Sequence, residues 1–459
     1  MGEMEVPAEA YYGASTMRAV HNFPISGIRF PRRFIASLGL IKKAAAEVNG
    51  DLGLLDAKIA QAIVQAATEV ADGKLDGEFP LDVYQTGSGT STNTNANEVI
   101  ANRASELLNG TRGGERRVHP NDHVNKCQSS NDVIPTAIQL SCAQAINEEL
   151  LPSLDRLRAA LDRKSKEFWP VVKTGRTHLQ DATPIRLGQE FLGYSGQVEE
   201  SQRRARTACE ELLSVPLGGT AVGTGINAHP EYASRACALL SEWTGLEVRE
   251  APNHFWTQAT LDSLVAAHGA LRLIATSLWK IASDIRLMGC GPVAGIAEIA
   301  LPAVQPGSSI MPGKVNPVIV ESLTMAVARV LGNDLTVTLC GQSGSFFELN
   351  VMMPVAGYTA LESISLLSRS ANNFARQCVE GIEATPRATQ LLEKQPMLAT
   401  ALTPKIGYDE AAKLAKEALK SGRTVRELAR ENGVDERDLD ELLDLEKMTE
   451  PGLGGIGAG

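Results

Sequence analysis

The sequence predicts a mainly α-helical protein with a central bundle of long helices. Aromatic residues make up only 5% of the chain, while Ala, Leu, Val and Ile abound, a mix suited to packed helices. The stretch "LDSLVAAHGALRLIATSLWKIASDIRLM" is apolar nearly all round, as a helix buried on every side would be. Strand signals are few; "VVKTG" and "TAVGTG" are the short candidates.

Taken in order, residues 1–33 read as loop, punctuated by Pro7, Gly13, Pro24, Gly27 and Pro31. Amphipathic helices follow near 34–49 and 56–72. A polar loop then leads into a helix ending near Asn109, and "GTRGGERRVHPNDHVNKCQSSND" is turn-rich. After Asp132 the character changes. Residues 132–165, 184–213, 256–288, 317–331 and 354–380 read as helices of a bundle, apolar enough to suggest burial by partner subunits. Beyond about residue 385 the segments shorten. Three small helices are expected there, split by Gly422 and Gly433, with a flexible glycine-rich tail from Gly452.

Bulk chemistry narrows the class. At 459 residues the chain can form a large core and several domains. Fifty-four acidic against 44 basic residues give a net charge of −10, which argues against nucleic acid as a partner. An anionic substrate would need a locally positive site. Seven scattered cysteines with no C-x-x-C argue against a disulfide framework, a zinc ribbon or an iron–sulfur cluster. Reduced thiols fit a cytoplasmic protein. The opening "MGEMEVPAEAYYG" lacks a basic-then-apolar leader pattern, and no apolar run reads as a membrane span.

The most informative stretch is "QPGSSIMPGKVNP", residues 305–317. It is not a nucleotide loop: five residues separate Gly307 from Gly313, and Val315 follows Lys314. Gly307 and Gly313 permit loop movement. Ser308 and Ser309 supply hydroxyls, with backbone N–H groups nearby that can depress a serine pKa or hold an anion. Lys314 supplies positive charge. Asn316 can cap the helix that Pro317 begins, and Glu321 sits one turn in, among apolar neighbours. A hydroxyl, a lysine and a helix start suit proton abstraction beside a carboxylate, where each positioned donor is worth roughly 3 kcal/mol of barrier.

This loop resembles the signature of the fumarase/aspartase superfamily. "TGSGTSTNTNANEVIANRA", "HPNDHVNKCQSSND", "TGRTHLQDATP", "GGTAVGTGIN" and "MTEPG" match the same superfamily in the same order, across essentially the whole chain. The resemblance implies three domains, here 1–129, 130–386 (the bundle) and 387–459. It implies a homotetramer whose active sites each draw on three subunits, acting on a small dicarboxylate without metal or cofactor. It assigns substrate contacts to Ser88, Gly89, Thr90, Ser129, Ser130, Asn131, Thr177, Ser309, Lys314 and Asn316. Ser308 resembles the base that takes the C3 proton, and His178 resembles the histidine paired with a helix glutamate, here Glu321. His119, Asn121 and Asp122 resemble a second dicarboxylate site, although a turn with a helix cap explains them equally. His21, His123, His229, His254 and His268 take no specific role.

Superfamily members differ in the leaving group. His178 stands where aspartate ammonia-lyases resemble one another in carrying glutamine, and Gly313 where they more often carry alanine. "GSFFELNV" and "GGTAVGTGIN" resemble the class II fumarases more closely. The implied reaction is reversible anti hydration of fumarate to L-malate through a stabilised carbanion, as in the tricarboxylic acid cycle. The alternatives are an aspartate ammonia-lyase and a non-catalytic helical protein of the lens-crystallin kind. Cys127 departs from the usual serine, and Thr94 from the usual methionine. A few residues usually precede "MGEMEVP".

Overall fold

The computed structural model describes residues 2–392 and 394–452, so the expected flexible tail beyond Gly452 lies outside the described residues. In chain order, the helices are α1 (Ala14–Asn22), α2 (Arg32–Asp51), α3 (Ala57–Ala71), α4 (Thr90–Asn109), α5 (Ser130–Ala145) and α6 (Leu151–Glu167). A hairpin of β1 (Val172–Thr177) and β2 (Gln180–Arg186) precedes α7 (Leu187–Glu211), α8 (Tyr232–Thr244), α9 (His254–Ala259) and α10 (Asp262–Met288). Then come α11 (Val318–Ser343), α12 (Met353–Gln377), α13 (Arg387–Leu392), α14 (Thr403–Ile406), α15 (Tyr408–Ser421), α16 (Val425–Glu431) and α17 (Glu436–Leu442). The remaining strands are two-residue pairs.

Two compact units are present. One holds Met1–Pro152, Gln202–Ala275 and Ala326–Arg369; the other holds Ser153–Ser201, Thr276–Met325 and Ser370–Gly459.

In the first unit, α2 buries Phe34, Leu38, Ile41 and Ala45 along one face, as a helical apolar stripe requires. Lys42 lies on that same face and is fully buried. Residues 14–22, expected as loop, form α1 because Glu98 of α4 reaches its free N-terminal groups. The Glu98 carboxylate accepts from the backbone of Gly13, Ser15 and Thr16 at 2.8–3.1 Å. The expected helix over 132–165 is divided by a wider turn at Ile146–Leu150. The expected helix over 256–288 is two, α9 and α10. "TAVGTG", residues 220–225, is not a strand: Thr220, Gly223 and Gly225 have positive φ, and the segment turns on itself.

Helix α11 runs twelve residues past its expected end at Leu331. Gly332, Asn333 and Asp334 carry local stop signals. Packing overrides them. Asn333 donates to Glu362 Oε2 at 2.8 Å and to Ser363 Oγ at 3.0 Å, and Asp334 pairs with buried His268 at 3.0 Å. This helix is also long and apolar enough to cross a membrane by length and composition, contrary to the sequence expectation. It also carries two buried polar residues, Asn333 and Asp334, both partnered.

In the second unit, "VVKTG" does supply a strand, β1, paired antiparallel with β2. The three small helices divided by Gly422 and Gly433 are α15, α16 and α17. They bury Leu414, Leu428 and Leu439 in one apolar cluster with Val172, Leu392 and Leu402.

Candidate active site

In the first unit, two motifs forty residues apart come together. The loop before α4 is fixed at Gly87: a Cβ there would sit 1.7 Å from Val351 O, so only glycine fits. The Gly87 carbonyl accepts from Met353 N at 3.0 Å. Gly89 takes a left-handed turn (φ 69°) at the mouth of α4. Thr90 is then the first residue of α4, and Ser130 the first of α5.

Their hydroxyls meet in a chain. Ser88 Oγ lies 2.7 Å from Thr90 Oγ1, which lies 2.8 Å from Ser130 Oγ. Two helix starts, each carrying partial positive charge, thus share one cluster of hydroxyls. That combination suits a carboxylate.

Behind this cluster Ser129 caps α5, its Oγ accepting from Asn131 N at 3.2 Å, and Asp132 Oδ1 accepts from Ser129 N at 2.9 Å. The fully buried Asp132 also accepts from Gly218 N and Thr220 N, both at 3.0 Å. Burial pushes its carboxyl up, and the three backbone donors pull it back. Asn131 donates to Ala221 O at 2.8 Å. The "GGTAVGTGIN" segment is therefore fastened to the start of α5 through Gly218, Thr220 and Ala221, while Gly223 N and Gly225 N turn back to Gly219 O, so its backbone bonds go to these partners and not to a sheet.

His119 opens a short wide turn over Pro120–Val124. Its Nδ1 accepts from Asn121 N at 3.3 Å and Asp122 N at 3.0 Å, the geometry of a cap. Asn121 and Asp122 line a cavity of about 910 Å³ that also reaches Lys126, Cys127, Ser129 and Thr220. Cys127 is buried, with φ 61°, and burial raises its thiol pKa.

In the second unit, Thr177 ends β1, and His178 and Leu179 form the two-residue hairpin tip. Both have positive φ, 56° and 58°, a conformation that Asn-Gly or Asp-Gly usually takes. The tip is exposed, but its base is rigid. Arg176 donates twice to Glu298, at 2.7 and 3.0 Å, and Lys173 approaches the same carboxylate at 3.0 Å. Glu298 is fully buried. Lys173 also meets Glu190 at 2.9 Å; burial raises the Glu190 carboxyl and Lys173 opposes that.

The glycine-serine loop is closed at its neck. Gly307 N donates to Lys314 O at 2.8 Å, and a Cβ on Gly307 would sit 2.5 Å from that oxygen. Asn316 does not cap α11. Its side chain instead donates to Gly307 O at 2.7 Å, and α11 begins at Val318. Pro317 precedes the helix, its carbonyl accepting from Glu321 N at 3.1 Å, and Val318 N donates to the Asn316 carbonyl at 2.9 Å. Ser308 Oγ accepts from Ile310 N at 3.2 Å and Met311 N at 3.1 Å. Two N–H donors on one hydroxyl oxygen favour its deprotonated form. Ser309 and Lys314 are exposed on the same loop, and Glu321 is exposed in the first turn of α11.

The chain therefore gathers Ser88, Thr90, Ser130 and Asn131 in one place, and Ser308, Lys314 and Asn316 in one loop. Among the described residues, no hydrogen bond or ion pair joins His178 to Glu321. The supporting residues Lys42, Asp132, Arg176 and Glu298 were not read from the sequence. A lysine on the apolar stripe of α2, and a glutamate inside "AGIAEIALP", were the available signals.

The family model described as Lyase matches residues 2–332, and that described as Fumarase C C-terminus matches residues 398–450. A class II fumarate hydratase of Methylorubrum extorquens is 51% identical over 452 residues, spanning 98% of this chain and 96% of that protein. The chain belongs to the class II fumarate hydratase family. Another such relative, from Halobacterium salinarum, is 52% identical over 455 residues, covering 99% of this chain and 96% of the relative. The crystal structure of a class II fumarase from Schistosoma mansoni superposes with a TM-score of 0.95 at 40% identity, each chain covered to 98%. The mainly α-helical architecture expected from sequence is the architecture of this family.

Proposed function

We propose that the chain catalyses the reversible anti addition of water to fumarate, giving L-malate, through a carbanion held as an aci-carboxylate. The observation that carries this reading is the hydroxyl chain Ser88–Thr90–Ser130 at two helix starts, in a member of the class II fumarate hydratase family. Ser88, Gly89, Thr90, Ser129, Ser130 and Asn131 bind substrate carboxylate. Ser308 takes the C3 proton of malate, its alkoxide favoured by the amides of Ile310 and Met311. Lys314, with Ser309, Asn316 and Thr177, holds the charge that develops as the proton leaves. His178, oriented by Glu321, hands its proton to the departing hydroxyl. No metal or organic cofactor is needed for these steps.

In this reading the working form is a cytoplasmic homotetramer, with each active site drawing on three chains of three domains (1–129, 130–386 and 387–459). The His178–Glu321 pairing then forms in the assembly. His119, Asn121 and Asp122 make a second dicarboxylate site, Asn121 and Asp122 from the wall of the 910 Å³ cavity and His119 from the turn that carries them. Since His119 Nδ1 is engaged by two amides, Nε2 is the atom left to meet a ligand.

The test follows fumarate by its ultraviolet absorbance, with L-malate in one cuvette and L-aspartate in another. Fumarate is expected from malate alone. Appearance from aspartate alone would make this an ammonia-lyase, and silence in both would favour a larger amine substrate or a structural role.

A further inference from the structure

Lys42 is 0% exposed, yet no carboxylate lies within ion-pair distance of it among the described residues. Its Nζ donates to Asn125 Oδ1 and Gln128 Oε1, both at 2.9 Å. Its hydrogen-bond partners are both amides, and the buried Asp132 carboxylate favours its charge only from beyond ion-pair distance; such burial is costly, and an apolar side chain of the same length would be cheaper. Stability does not account for a lysine here.

The partners of Asn125 do. Its Oδ1 also accepts from Asn93 and Asn97 of α4, each at 3.2 Å. Three donors converge on one oxygen. Asn125 Nδ2 donates to Gln128 O at 3.1 Å, and Gln128 Nε2 donates to Val124 O and Lys126 O at 3.1 and 3.0 Å. From α2, Asn49 holds Lys126 O at 3.1 Å. This hub thus ties α2, α4 and the 125–128 turn together. The turn runs directly into Ser129 and α5. The hub lies one turn into α4 from Thr90 and one residue ahead of Ser129.

We propose that Lys42 is a positioning residue: acting through Asn125 and Gln128, it fixes the offset between the starts of α4 and α5. That offset sets the 2.8 Å spacing of Thr90 Oγ1 from Ser130 Oγ, the pair of hydroxyls that grips a substrate carboxylate. The inference rests on the reading of Thr90 and Ser130 as substrate contacts. A carboxylate is gripped in both ground and transition states, so loosening the pair weakens binding more than turnover.

The test is steady-state kinetics of Lys42→Met, with Lys42→Gln and Thr90→Val beside it, together with native mass and melting temperature. Lys42→Met is expected to raise KM for fumarate and malate by roughly tenfold or more, the scale of a hydrogen bond to a charged donor, with kcat within about threefold. Its melting temperature should not fall. Lys42→Gln keeps an N–H donor and should recover part of the KM loss. An unchanged KM in a folded Lys42→Met overturns the proposal, as does a fall of kcat and melting temperature together. If Thr90→Val raises KM while Lys42→Met does not, the inference alone fails. If Thr90→Val also leaves KM unchanged, the substrate reading fails and takes the inference with it. Should Lys42→Met not fold, Asn97→Ala withdraws one donor from the same hub. A raised KM there supports the proposal, and an unchanged KM overturns it.

Discussion

At Ser308 two backbone N–H groups meet one hydroxyl oxygen, and at His178 a strained turn lifts an imidazole off the end of a hairpin. Ser308→Ala and His178→Asn are each expected to lower turnover by roughly 10²-fold or more at unchanged native mass. His119 serves its own turn as a cap, so His119→Asn should leave turnover largely intact; fumarate absorbance decides all three. Lys42 makes a separate prediction about pH. Burial lowers its pKa to about 7, and Asp132 is the charge that opposes this. In the unfolded chain the amine titrates near 10.5. Below about pH 7 both states carry the proton, and the folded protein bears the full cost of a buried charge. Between 7 and 10.5 the unfolded state binds more protons, so stability rises with pH there. The stability of Lys42→Met relative to the parent should therefore be most favourable near pH 6 and decline toward pH 9.5 in matched urea melts. The opposite trend would contradict the placement of Lys42. Such residues escape a sequence reading for a physical reason. Ser308 and His178 stand in dense polar motifs, whereas Lys42 is one lysine on an Ala-rich helix and shows its isolation only when burial is known.

Among the elements, long segments with a clear apolar period were legible: α2, α3, α10 and α12 lie close to where their patterns place them. Several misreadings concern polar groups whose partners are remote in sequence. Glu98 organises α1, Asn333 and Asp334 carry α11 past its own stop signals, and Asp132 takes the Thr220 amide at the start of the strand expected over 220–225. Asn316 was likewise read as a cap, but it spans the neck of the glycine-serine loop. A tight approach of two elements makes another prediction. The backbone of Val351, just past a short hairpin, presses on Gly87 in the loop before α4. Gly87→Ala forces backbone against Cβ, which neither side can relieve by a rotamer change. It should cost about 1–3 kcal/mol of stability and raise KM by shifting Ser88 and Thr90. A melt and a kinetic titration on the same preparation test this, and normal values in both would argue that the loop is slack.

For the whole molecule, the all-round apolar character of α10 and α11 is what the sequence displayed most plainly. In the single chain Leu273 and Trp279 of α10, and Met325, Leu335 and Leu339 of α11, stand exposed. Side chains of this size on long helices call for a cover, and in the proposed tetramer other copies supply it. Leu335→Arg is expected to shift the native mass below four chains in light scattering and to abolish turnover, whereas a parent mass of one chain would refute the assembly. The sequence could not reveal which motifs meet within a chain, because contiguity along the chain says nothing about which copy a loop faces. That ambiguity has a genetic consequence. Within one chain no hydrogen bond or ion pair joins His178 to Glu321 among the described residues, and the hydroxyls of Ser88, Thr90 and Ser130 belong to a different compact unit from the Ser308 loop. If the sites are mosaics, two lesions need not be inherited by the same site. Chains crippled at Thr90 and chains crippled at Ser308, each inert as a pure population, would when refolded together produce some mosaics with every part intact, and activity would reappear from a mixture of the inactive.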